Sequence, residues 1–106
     1  MTDRTQPEIT AADIRTLVSR GEGPNLEFKS RALAPERLAR ELVALANSGG
    51  GTLLVGVTDD GVIDGCALTT EAAGKLVRDI RYFTEPELPL AVQLVTVDTA
   101  RVAACV

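Results

Sequence analysis

Three consecutive glycines, Gly49–Gly51, separate two segments of opposite character, and this break constrains the fold more than any other feature of the chain. Before it, Leu38, Leu42, Leu45 and Ala46 recur at helical spacing behind Pro35, which suits a first helical turn. After it, Thr52–Val57 is a short, almost wholly apolar run, the pattern of a strand covered on both faces. A helix that stops at Asn47-Ser48 and feeds such a strand requires helices layered on a sheet.

The rest of the chain fits that frame. Thr10-Ala11-Ala12-Asp13 has the form of a capping box with Asp in the usual Glu position. Ala11, Ile14, Leu17 and Val18 then make one helical face, which Gly21 ends. Leu26–Arg31 alternates, with Leu26 and Phe28 on one side and Glu27, Lys29 and Arg31 on the other, as in a half-buried strand. Glu36–Arg40 and Arg37–Glu41 are spaced to pair on the wet side of the second helix. Thr58–Gly61 is turn chemistry, and Val62–Cys66 reads as the returning strand of a hairpin. Thr69 or Thr70 caps a third helix with Ala72, Ala73, Leu76, Val77 and Ile80 on one face. Pro86 and Pro89 mark a linker, and Ala91–Val97 with Arg101–Val106 form a last hairpin around Asp98-Thr99-Ala100. Met1–Glu8 reads as a loose arm. The predicted order is αβαββαββ: an α+β domain with a mixed sheet of about five strands and three helices.

At 106 residues this is one domain, 1–106. The chain stops inside an apolar strand, so the expectation is the N-terminal part of a longer protein. Only three aromatic residues occur, Phe28, Tyr82 and Phe83, so Leu, Val, Ile and Ala must build the core. There is no His, which excludes Ser-His, Cys-His and His-zinc chemistry from this chain. Cys66 and Cys105 lie in apolar segments without metal-ligand spacing and read as free thiols in a reducing compartment. Met1–Thr10 lacks a signal-peptide core and no apolar run could span a bilayer, so a cytoplasmic protein without membrane contact is expected. The net charge is −4, whereas a free-standing nucleic-acid binder is usually basic. Nine of the eleven cationic residues are Arg, however, which suits bidentate phosphate contacts.

Three groups of residues could carry chemistry. Glu27, Lys29 and Arg31 share a strand face, with Glu22 just upstream and Asp59 or Asp60 at a turn. Two or three such carboxylates could hold a divalent metal and activate water; equally, they could be a solvated face with ion pairs. The glycines could cradle a phosphate through backbone N–H groups, but a helix C-terminus faces them and no Gly-Lys-Ser/Thr follows, so a helix cap with close packing competes. Lys29, Arg31, Arg37 and Arg40 could form one basic edge or pair with nearby Glu residues.

Three stretches together resemble one family: Glu22-x4-Glu27-Phe28-Lys29, then Leu42–Val57 with its Ala-Asn-Ser-Gly-Gly-Gly centre, then Asp59-Asp60-Gly61-Val62-Ile63-Asp64-Gly65. Their order and gaps are similar to the Schlafen-type Alba-like domain, also described as a divergent AAA domain, over nearly the whole chain from about Ile9. The resemblance implies an Alba-like mixed fold and DNA or RNA binding; on the reading of the residues above, such a module would contact nucleic acid through Lys29, Arg31, Asn47, Gly49, Gly50 and Gly51. It implies a recognition module of a larger transcriptional regulator or helicase-like protein, with downstream domains and a homodimer as partners. Some relatives are metal-dependent endoribonucleases, which would make Glu22, Glu27 and Asp59 the catalytic ligands of Mg2+ or Mn2+. The family often has Asp directly after the Gly-Val pair; Thr58 stands there and Asp59 follows. Binding is therefore carried over ahead of catalysis. A nucleotide-binding or oligomerisation domain is the third implication.

Overall fold

The computed structural model describes residues 8–31, 34–84 and 90–105. Its elements run α1 (Ala11–Arg20), β1 (Leu26–Lys29), α2 (Pro35–Asn47), β2 (Thr52–Val55), α3 (Thr70–Tyr82), β3 (Val92–Val97) and β4 (Ala100–Cys105). The strands form one mixed sheet in the order β1-β2-β4-β3. β1 and β2 are parallel, with Leu26 opposite Thr52 and Lys29 opposite Val55. β4 runs antiparallel to both β2 and β3.

Local chemistry sets the helix ends. Thr10 and Asp13 form the expected capping box: Thr10 N–H donates to Asp13 Oδ2 at 2.9 Å and Asp13 N–H to Thr10 Oγ1 at 3.2 Å. Thr69 caps α3 by accepting from Ala72 N–H at 3.1 Å. At the end of α2, Gly50 N–H returns to Leu45 C=O at 2.9 Å and Gly49 N–H to Ala46 C=O at 3.2 Å. This is a Schellman closure, and Gly49 adopts the positive φ it needs, 99°; Gly50 follows with a positive φ of 98°.

Strand alternation then divides the core. Leu53, Val55, Ala103 and Cys105 face α2 and α3 and pack on Leu38, Leu42, Leu45, Leu76 and Ile80. Leu26, Phe28, Leu54, Val95, Val97, Val102 and Ala104 face α1 and pack on Ile14. The sheet is thus covered by two helices on one face and one on the other. Both cysteines are free thiols. Burial, with Cys66 nearby, pushes the Cys105 thiol up to about 12. Among the described residues no helix is long and apolar enough to cross a membrane.

The class is α+β as expected, but the strand count and order are corrected to four strands in αβαβαββ. The predicted strand Val62–Cys66 reduces to a single bridge between Val57 and Ile63. The physical reason is competition: β2 already has β1 on one side and β4 on the other, so no ladder side remains for a hairpin partner. The segment folds back over the strand end instead. Asp64 and Gly65 N–H both donate to Gly56 C=O at 2.8 Å, and Cys66 N–H donates to Arg101 C=O at 2.8 Å. A Cβ on Gly56 would lie 3.0 Å from the Gly65 carbonyl carbon, so this crossing needs glycine. The expected linker at Pro86 and Pro89, and nearly all of the expected N-terminal arm, lie outside the described residues.

Candidate nucleic-acid interface

β1 is an edge strand, and its outer side is closed by the chain just before it. Gly23 N–H donates to Leu26 C=O at 2.9 Å and Leu26 N–H to Gly23 C=O at 3.3 Å. That hook places Glu22 beside the strand, where Glu22 Oε2 accepts from Phe28 N–H at 2.9 Å. Glu27 and Lys29 project to the opposite face from Leu26 and Phe28, toward α2.

Charges on that face neutralise one another. Lys29 Nζ lies 3.4 Å from Glu41 Oε2 of α2 and 3.9 Å from Glu27 Oε2. A hydrogen bond shared with Glu22 raises Glu27 to about 8; burial, a hydrogen bond to Glu41 and the charge of Glu22 add to the rise. The same hydrogen bond, together with that from Phe28 N–H, lowers Glu22. Glu27 therefore holds a proton for Glu22 near neutral pH.

The sequence singled out Glu22, Glu27 and Asp59 as metal ligands. Glu22 and Glu27 do come together, but the third carboxylate on this pair is Glu41. Asp59 is exposed in the turn beyond β2. Thr58, standing where the family often has Asp, donates to Asp60 Oδ1 at 2.6 Å and accepts from Val62 N–H at 2.9 Å, so it organises the turn. Among the described residues no group of three or more His, Cys, Asp or Glu is placed to hold a metal ion. With that, and with the Lys29 ammonium set 3.4 Å from Glu41 and 3.9 Å from Glu27, the residues present do not fit Mg2+ or Mn2+. Glu41 escaped the sequence reading because its spacing paired it with Arg37. The signal that could have found it is the lone Lys29 on the strand facing α2.

The expected phosphate contacts are also divided. In the parallel register Gly51 and Asn25 lie at the amino end of β1 and β2, and Arg31 follows Lys29 at the carboxyl end. Four residues of strand put these ends about 10 Å apart. At the amino end, Asn25 Nδ2 donates to Ser48 C=O at 3.0 Å and Gly50 C=O at 2.6 Å, and Thr52 N–H to Asn25 C=O at 3.0 Å. A Cβ on Gly51 would lie 2.3 Å from Asn25 O. Gly49 and Gly50 N–H are engaged in capping α2, so they do not point at a phosphate. Asn47 is exposed at the last position of α2, a partially negative helix end. At the carboxyl end, Arg31 and Arg37 are exposed, and Arg37 sits in the first turn of α2, where the helix dipole is positive. Arg40 is paired to Glu36 at 3.2 Å.

No curated protein matches the chain. A family does: residues 22–105 match Schlafen, AlbA_2. That span begins at the glutamate closing the β1 edge and runs to the last residue of β4. It takes in the glycine bend, the turn after β2 and every strand of the sheet. The chain belongs to the Schlafen AlbA_2 family.

Proposed function

We propose that this chain is a nucleic-acid-binding module, the recognition part of a larger cytoplasmic regulator, and that it self-associates. The family match over residues 22–105 carries the reading, since that family is nucleic-acid-related. The carboxyl end of the parallel β1–β2 pair supports it, because open α/β sheets bind ligands outside the carboxyl ends of their strands. Exposed Arg31 and Arg37 stand there beside the positive end of α2. With two cations and a net charge of −4, binding is weak and depends strongly on salt.

Fluorescence anisotropy with labelled single-stranded RNA, single-stranded DNA and duplex DNA across a salt series tests this. The expected result is saturable binding at low salt. Replacing Arg31 and Arg37 together by Ala should lower the log–log salt slope by about 1–2. Flat titrations with all three probes at low salt would end the proposal.

A further inference from the structure

The opposite edge of the sheet is built differently. β3 spans Val92–Val97 without a charged residue or proline, the devices that usually blunt an edge. Its two-residue turn, Asp98-Thr99, makes Val97 and Ala100 the closing hydrogen-bonded pair. Val95 and Gln93 then bond Val102 and Ala104, and the N–H and C=O groups of Val92, Leu94 and Thr96 point away from the sheet. The bond from Cys66 N–H to Arg101 C=O fits this alternation, since the carbonyl of Arg101, opposite Thr96, also points away from its β3 partner. Among the described residues no hydrogen bond reaches those six outward groups of β3.

A second observation lies beside this edge. Thr70, Ala73, Gly74 and Val77 of α3 line a groove with Val92 and Leu94 of β3. Gly74 stands in the interior of α3, where glycine weakens a helix. A Cβ there would meet nothing within 4 Å, so the chain's own packing gives no reason for it. Glu71, Gly74, Lys75 and Arg78 form one exposed stripe of α3 at helical spacing.

We infer that the β3 edge pairs antiparallel with β3 of a second copy of this chain, about a two-fold axis at Leu94, with the two α3 helices meeting at Gly74. This deepens the self-association in the reading above by naming its surface. The outward residues are symmetric about Leu94: Val92 meets Thr96 of the second copy and Leu94 meets itself, so all six outward groups of each strand find partners. An isologous pairing sets residues against their own kind, and β3 carries no charge that would repel its copy. Antiparallel α3 helices crossing at Gly74 bring Glu71 of one copy to Arg78 of the other, twice over. The missing side chain at Gly74 lets the helices approach.

Sedimentation equilibrium of the whole chain, from low to high micromolar concentration, tests the inference. The expected mass rises from 11.2 kDa toward twice that value. Gly74→Gln fills space that is open in the single copy, so it should leave the fold intact by circular dichroism and weaken the dimer about 10–100-fold. Leu94→Pro removes one outward N–H and should weaken it likewise. Glu71→Arg and Arg78→Glu should each weaken association and together restore it. A monomer mass throughout overturns both self-association and this surface. A dimer that Gly74→Gln and Leu94→Pro leave unchanged overturns the surface alone.

Discussion

The two edges of the sheet solve the same problem in opposite ways. On β1 the outward groups of Leu26 and the N–H of Phe28 are satisfied by Gly23 and the Glu22 carboxylate, and the strand face beside them carries Glu27 and Lys29. On β3 the outward groups of Val92, Leu94 and Thr96 have no partner among the described residues, and the strand carries no charge. A closed, charged edge resists strand addition, and an open, apolar one invites it. The comparison also changes the meaning of the Glu22-x4-Glu27 spacing. It places one carboxylate on the strand's outer N–H and the other against Lys29, so both have structural partners within the chain.

The contrast breaks most readily where β1 is anchored. Gly51→Ala drives a Cβ into the Asn25 carbonyl that receives Thr52 N–H, with no flexible side chain to yield. It should cost about 3 kcal/mol or more, read as a fall in the urea midpoint. Gly49→Ala, with open space around it, should cost about 1 kcal/mol through its positive φ alone.

Proline scanning of β3 sharpens the other side of the comparison. Val95 N–H faces β4 and Leu94 N–H faces outward. Val95→Pro should therefore cost about 3 kcal/mol, and Leu94→Pro about 1 kcal/mol or less in the dilute protein. Equal losses would show that the assigned alternation of β3 is wrong.

A smaller effect is expected at the closing carboxylate. Glu22→Ala leaves Phe28 N–H without its acceptor and should lower stability by about 1–2 kcal/mol, with Glu22→Gln losing less because an amide oxygen still accepts. The smallest effect is one of pH. Glu27 is raised from 4.5 to about 8 in the folded chain, so the folded state binds the extra proton between those values. Its contribution to stability is full below 4.5 and is lost as pH rises toward 8. Glu22, lowered, runs the other way and matters only below its ordinary value. Thermal melts should show the wild type losing ground to Glu27→Gln as pH rises from 4.5 to 8; parallel curves would contradict the shared proton.

Signals that act over a few residues were legible in the sequence. The Thr10–Asp13 box, the Pro35 start, the glycine stop and most of the three helix faces depend on neighbours within one or two turns; Ala46 and Ala72, expected on the buried faces, are exposed, and Ala39 is buried in their place on α2. The fifth strand was misread because Val62–Cys66 has strand-like composition, while its pairing was decided by β4, about forty residues downstream in sequence, taking the free side of β2. Glu41 was misread for the same reason. Its i,i+4 spacing to Arg37 is local, and its actual partner Lys29 is on another element. The glycine bend was half legible: its capping role followed from Asn47 and Gly49, but the contact that makes Gly51 necessary comes from Asn25, across the parallel pair.

Amide hydrogen exchange resolved by residue tests the asymmetry of the two edges most directly. In dilute protein, Phe28 N–H should be strongly protected, and Leu94 and Thr96 N–H should exchange fast although they lie in a regular strand. Raising the concentration should slow Leu94 and Thr96 and leave Phe28 unchanged. Phe28 exchanging as fast as Leu94 in the dilute sample would contradict the account.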